Sequence, residues 1–369
     1  MNNTITVKRN VSIDILRIML ALMVVTIHIG APSTGHVINS VTWMPMKFFT
    51  YIMHYLAIPA VNIYILISGY FSYKKLEYTN VFKKATSLWL VLLFYSLAGL
   101  IVYNVFFGDS LSISTIKDRV FLLSTGEWWF MTNYFCLIFI SPLLNIIISS
   151  FTKKSFMAFL LLVGIAFGIL PSLCQWKDAI SINYGYSLIW FIVLYLIGGG
   201  IKRFSIDKRI RLGFWKYFGM YLLATLFILA QDLFFSKVLH CSGSAFVHYN
   251  SITILLQAIF LFLAFLNLEV HCRFEKSIVL ISSLSMSVYI LHCQADFGKI
   301  LWNISEPSKY ADTIYLPFVY FIITFGVFLL ACTIEFLRTK LFKICNIDIV
   351  TSKFVSLCIK GFNRLVNLI

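Results

Sequence analysis

The sequence predicts an all-α, polytopic membrane bundle of about ten transmembrane helices, and three observations lead there. Of 369 residues, 60% are hydrophobic and 12% charged, whereas a water-soluble domain is about half apolar and about a quarter charged. Apolar runs of the length a helix needs to cross the hydrocarbon core, about 20 residues, recur along the chain. These runs are continuous, while the strands of a membrane barrel would alternate. Finally, Lys and Arg collect in the connections between runs, as they do in loops on the inner side of a membrane. The formal net charge of +15 would suggest nucleic acid in a soluble protein. Here it is assigned to topology and the lipid bilayer, and no nucleic-acid partner is expected.

Spans are expected at 11–30, 48–72, 86–106, 128–149, 156–173, 186–200, 214–235, 250–268, 278–297 and 313–337. The first follows Lys8 and Arg9 and superficially resembles a signal peptide. Its apolar stretch is longer than a signal core and lacks a small-x-small cleavage site, so it reads as a retained helix. Before the third span lie Lys74, Lys75, Lys83 and Lys84. Glu127, Trp128 and Trp129 open the fourth, His292 lies within the ninth, and Glu335, near the end of the tenth, is expected to snorkel. Trp128 reads as an interfacial anchor. The connections are rich in Lys, Asp, Ser, Gly and Pro, and none is long enough for a soluble domain. No internal repeat of the kind that builds many transporters is visible.

With these spans, 22 of the 30 Lys and Arg fall on the side of the N-terminus and 7 on the other. The bias places both termini in the cytoplasm and favours an even helix count. Residues 1–340 form the transmembrane domain and 341–369 a cytoplasmic tail. From Ser352 to Ile369 polar residues such as Lys353, Lys360 and Arg364 recur at helical spacing among Phe354, Leu357 and Phe362. That pattern suits a helix lying on the inner leaflet.

None of the eight cysteines is in a CxxC spacing, so no metal or redox motif is expected. Cys293 and most others read as small hydrophobes. Cys174 and Cys241 share the outer side, but spacing fixes no geometry for a disulfide.

Chemistry concentrates in the first span. Asp14 and Arg17 can pair at a separation of three residues. Arg17 and His28 are eleven apart, which returns to nearly the same helical face about 16 Å along the axis. Ionisable groups inside a membrane span are costly and are functional candidates. Separately, Arg17 has an ordinary reading as a snorkelling cation and His28 as an interfacial histidine; both being so while sharing one face is the weaker explanation.

The first-span pattern resembles the acyltransferase-3 family, whose first helix carries Arg, ten residues and His, opened by Asp-x-Leu-Arg as in Asp14-Ile15-Leu16-Arg17. Three further stretches are similar in order. They are Ile58 to Phe71 ending in Ser68-Gly69-Tyr70-Phe71, Gly126-Glu127-Trp128-Trp129-Phe130 running on to Ser141-Pro142 and Asn145, and Ser285 to Tyr289 and His292. The resemblance spans nearly the whole chain and implies the stand-alone form. It implies transfer of an acyl group, usually acetyl from acetyl-CoA, to a sugar hydroxyl, with no tightly bound cofactor. By the same resemblance His28 is the catalytic candidate and Arg17 binds the acyl-CoA donor. The acceptor would be a glycan or lipid-linked oligosaccharide, and the location a bacterial cytoplasmic membrane. Family members often have Arg-x-x-Arg in the first cytoplasmic loop. Here Lys74, Lys75, Lys83 and Lys84 stand in a different spacing, either as phosphate contacts or as ordinary topological charge.

A sugar hydroxyl is a poor nucleophile, and a neutral imidazole can take its proton as attack begins. Alternatively His28 accepts the acyl group itself. His292 and Glu127 are further catalytic candidates, His292 as an assistant or a packing hydrogen bond, Glu127 as an orienting group. No oxyanion donor is evident. His54 and Gly69 read as ordinary, Gly69 serving helix packing. Two other functions compete: a carrier or flippase for lipid-linked sugars, and an inactive partner in a glycan-assembly complex.

Overall fold

The computed structural model describes residues 9–73, 78–108, 112–171, 182–237 and 247–366. Lys74, Lys75, Cys174 and Cys241 lie outside the described residues, so the structure does not bear on those readings. Every regular element among the described residues is a helix. Among the described residues seven candidate membrane spans are long and apolar enough to cross a bilayer: Val11–Gly30, Met44–Ser72, Tyr78–Phe107, Trp129–Ser150, Phe214–Phe235, Glu275–Cys293 and Leu316–Ile344. Of the other expected spans, 186–200 and 250–268 overlap the shorter helices Leu188–Arg203 and Ile252–Leu266, and the described part of 156–173 overlaps Lys153–Val163 and Gly164–Ile169.

In chain order the helices that place the site are α1 (Val11–Gly30), α2 (Met44–Ala57), α3 (Ala60–Ser72), α4 (Tyr78–Phe107) and α5 (Ile113–Val120). Then come α6 (Trp129–Ser150), α7 (Lys153–Val163), α8 (Leu188–Arg203), α9 (Phe214–Lys237) and α10 (Ile252–Leu266). The last five are α11 (Glu275–Leu284), α12 (Met286–Cys293), α13 (Ala295–Ser305), α14 (Leu316–Ile344) and α15 (Ile347–Val366).

Helix α1 is the hub, in contact with α2, α3, α10, α11, α12 and α14. Asn10 starts it by accepting the Ile13 N–H at 3.3 Å, which satisfies one of the donors a helix N-terminus leaves open. Leu16, Leu20, Val25 and Ile29 are fully enclosed, so an apolar stripe at helical spacing faces inward. The connection after α1 is tied to the one before α14. Asp312 accepts Thr42 Oγ1 at 2.6 Å and the N–H groups of Thr42 and Trp43, each at 2.7 Å. The Thr42 hydroxyl first, then the two amides, hold its carboxyl below the usual aspartate range. This tie is in place above the ordinary aspartate pKa and fades as acid protonates the group.

Two residue types that break soluble helices are accommodated locally. Pro142, inside α6, has no N–H to offer the carbonyl four residues back. That carbonyl, Ile138 O, takes the Ser141 hydroxyl at 2.6 Å instead, the kind of repair that membrane helices use. At the α3–α8 crossing, a Cβ on Gly69 would lie 2.1 Å from Tyr195 O, and one on Gly198 would lie 2.2 Å from Leu66 O. The helices touch backbone to backbone, so packing is what Gly69 does. Gly69→Val is expected to cost at least about 3 kcal/mol, the upper end of ordinary overpacking, read as a lower melting temperature in detergent. Gly219→Ala, where an added Cβ meets nothing within 4 Å, should change little.

The structure revises several expectations. Lys83 and Lys84 lie within the N-terminal turns of α4, not on a loop. Glu335 does not snorkel: it is buried, accepts Arg338 at 2.7 and 2.8 Å and takes the Tyr95 hydroxyl at 3.0 Å. Burial in the bundle favours this local ion pair over reaching for water, because each charge is desolvated only with its partner. The tail does form a helix, α15, and one side of it packs on α4 through Phe362, whose ring centroid is 5.0 Å from Tyr78 and 5.8 Å from Phe82. Its Phe354 and Leu357 remain exposed.

Candidate active site

At the start of α1, Asp14 is fully buried and multiply bonded. It accepts Arg9 Nε at 2.8 Å and Nη2 at 2.9 Å, Ser282 Oγ at 2.7 Å, and Arg17 Nη1 at 3.3 Å. The two-pronged Arg9 contact is the tighter one, so the expected Asp14–Arg17 pair exists but is secondary. Arg17 keeps about a third of its side chain exposed. Around it stand Tyr64, whose hydroxyl donates to Arg17 O at 3.2 Å, and, linked to Tyr64 through the Ser68 hydroxyl, Tyr134. Lys84 Nζ lies 5.1 Å from the Tyr134 ring centroid, and Ser68 Oγ is 3.5 Å from its hydroxyl. Lys84, on α4, and Arg17, on α1, therefore serve one polar patch. Lys83, one residue away on the same helix, is exposed.

At the other end of α1, His28 meets His292 of α12. Nδ1 of His28 lies 2.8 Å from Val24 O and 3.2 Å from Nε2 of His292. Nδ1 of His292 bonds Val288 O. Carbonyl oxygens only accept, so the hydrogen-bond network assigns the proton to Nδ1 in both rings. His28 Nδ1–H then also faces the lone pair of His292 Nε2. This leaves Nε2 of His28 as a free base, and the atom it meets is Sγ of Cys293 at 3.5 Å. The rings cross edge-on with centroids 4.8 Å apart, and His292 is almost completely buried. Trp302 of α13 stands 6.4 Å from the His292 centroid. Its indole Nε1 and Nδ1 of His54 are enclosed without a hydrogen-bond partner in the structure.

The helix bearing His292 is clamped just past its end. Glu127 touches neither imidazole. It accepts Ala295 N–H at 2.7 Å and Arg119 Nη1 at 2.9 Å, while Arg119 Nη2 reaches Asp296 at 2.8 Å. Gln294 breaks the helix and caps the next, its Oε1 accepting the N–H groups of Asp296 and Phe297. Glu127 thus connects to His292 only through the backbone, at the point where α12 stops. Trp128, expected at an interface, is buried instead and donates from Nε1 to Ile290 O at 3.1 Å. A bundle interior that offers a carbonyl partner favours burying an indole whole.

The structure brings Arg17 and Lys84 together at one end, and His28 and His292 at the other. It keeps Glu127 one shell away. Cys293, Arg119, Asp296 and Gln294 escaped the sequence reading. For Cys293 the available signal was its place directly after the motif histidine.

Fold and site together define a multi-pass α-helical membrane protein with a buried histidine pair at one end of its central helix. The family model described as the acyltransferase domain matches residues 10–335. The chain belongs to the acyltransferase-3 family and is a membrane acyltransferase. No curated protein matches it, and no solved structure does.

Proposed function

We propose that this acyltransferase moves an acetyl group from acetyl-CoA to a sugar hydroxyl of a cell-surface polysaccharide or its lipid-linked precursor. The observation that supports this best is the division of α1. A cationic patch at Arg17 and Lys84 lies three helical turns, about 16 Å, from the free Nε2 of His28. Such an offset suits a donor whose phosphates stay at the charged end while its thioester reaches the histidines. Lys83, next to Lys84 on α4, adds positive charge to that patch, and Lys74 and Lys75 are given a part in donor binding on their residue type alone. His28 takes the proton of the attacking hydroxyl, and His292 accepts the His28 Nδ1–H and keeps the base in its useful tautomer.

In this reading the chain has ten spans with both termini in the cytoplasm, and it resides in a bacterial cytoplasmic membrane. Residues 1–340 form the catalytic membrane domain, and α15 lies along the inner leaflet with Phe354 and Leu357 toward lipid.

Arg17→Ala and Lys84→Ala are each expected to raise KM for acetyl-CoA about tenfold, corresponding to about 1.4 kcal/mol, with kcat little changed, because removing uniform donor binding acts on KM. Release of free CoA by purified protein in vesicles supplied with glycan acceptor checks both the activity and the split. A carrier would move lipid-linked sugar without consuming thioester, so transport with no CoA release would sink the proposal.

A further inference from the structure

Cys293 is the last residue of α12, half-buried, with its sulfur 3.5 Å from Nε2 of His28, an unprotonated imidazole nitrogen at which no ring N–H is directed. The chain Cys293 Sγ, His28 Nε2, His28 Nδ1–H, His292 Nε2 and His292 Nδ1–H runs to the carbonyl of Val288, with Val24 O beside it. This is the order of a nucleophile, a base and an orienting group, and a thiol needs such a base because only its thiolate attacks well.

We propose that Cys293 is the acyl-accepting nucleophile, and that acetyl passes from CoA to the acceptor through a Cys293 thioester. The proposal rests on the acetyl-CoA reading above and adds the covalent step. In the first half-reaction Sγ attacks the thioester carbonyl as its proton moves to Nε2 of His28. The Sγ–acyl bond forms, the bond from acyl carbon to CoA sulfur breaks, and CoA leaves as the thiol with the proton from His28. One thioester replaces another, so little energy is lost. In the second half-reaction the sugar hydroxyl attacks the Cys293 thioester and gives its proton to Nε2. The oxygen ester forms, and Sγ leaves and regains that proton. CoA departs before the sugar reacts, so the two substrates need never share the buried space around the histidines.

The same three side chains place ligand atoms within 4.8 Å of one another, the raw material of a metal site. Their directions favour the relay. Nε2 of His292 faces the Nδ1 side of His28, while Sγ faces the Nε2 side. The lone pairs are strung along a chain and do not converge on one point, as tetrahedral ligation requires.

The test incubates purified wild-type protein with acetyl-CoA and no acceptor, then quenches it for intact-mass and peptide analysis. The expected result is one acetyl group on Cys293, removed by neutral hydroxylamine and by added glycan. Cys293→Ala should form no adduct and lose at least about 100-fold in transfer while keeping its melting temperature. Cys293→Ser, nearly isosteric, should hold acetyl as an ester that resists neutral hydroxylamine. Wild-type transfer by Cys293→Ala, acetyl found on His28 instead, or one equivalent of tightly bound zinc in the purified protein would each overturn the relay. Of these, wild-type transfer by Cys293→Ala leaves the acetyl-CoA reading standing. Absence of both adduct and CoA release in the folded wild type would overturn the two together.

Discussion

His28→Ala is expected to lower kcat for acetyl transfer by about 10²- to 10⁴-fold, the usual weight of a positioned general base, with KM for acetyl-CoA nearly unchanged. His28 sits at the far end of α1 from Arg17 and Lys84, so donor binding and proton transfer should separate in the kinetics. Because Nδ1 of His28 is committed to Val24 O and His292, Nε2 is the atom whose loss matters. His28→Gln, which keeps polarity but supplies no base of suitable strength, should be nearly as slow as His28→Ala. His292→Gln should lose less, since it holds the tautomer and does not take the proton. Steady-state CoA release by detergent-purified variants measures all three. An unchanged kcat in His28→Ala would remove the imidazole from the reaction.

The second large effect is expected at Arg119→Ala, and it is one of stability. Arg119 bridges Glu127 and Asp296, with the side chains of all three mostly buried. Removing one partner from a buried ion pair leaves uncompensated charge and typically costs about 3–5 kcal/mol. Here two carboxylates would lose their partner at once, although Glu127 keeps Ala295 N–H and Asp296 keeps Gln294 Nε2 at 2.9 Å. Arg119→Lys should not restore stability, because one ammonium does not reproduce the fork that reaches both carboxylates. Glu127→Gln with Asp296→Asn in the Arg119→Ala background should recover part of the loss. Thermal denaturation in detergent reads the order of the series. Because the clamp ends α12 just past His292 and Cys293, activity should fall along with stability.

Much of the architecture was legible because the bilayer imposes it. Hydrocarbon allows few ways to satisfy a backbone, so a run such as Val11 to Gly30 reads as a helix from composition alone. The placement of Arg17 and His28 toward opposite ends of one helix was legible too, since their separation follows from helix geometry. What pairs with what across helices was not. Arg9 looked like topological charge, yet it holds Asp14 more tightly than Arg17 does. Glu335 and Trp128 were placed at interfaces by residue type, but Tyr95, Arg338 and the carbonyl of Ile290 supply interior partners. Tyr95 and Ile290 lie 240 and 162 residues away in sequence, beyond any local pattern, whereas Arg338 is only one helical turn from Glu335. Cys293 was overlooked for a similar reason. A cysteine in an apolar run reads as a small hydrophobe until the fold sets a base beside its sulfur. Lys83 and Lys84 show the limit at helix ends: local polarity suggested a loop where the helix already runs.

The measurement that bears most directly on the central claim is transfer of radiolabelled acetyl from acetyl-CoA to glycan by membranes carrying this protein, with His28→Ala membranes in parallel. The expected result is alkali-labile label in the glycan with the wild type and nearly none with the variant. Equal label with both, or none with either when the protein is folded and its native acceptor is present, would contradict the assignment of His28 to acetyl transfer.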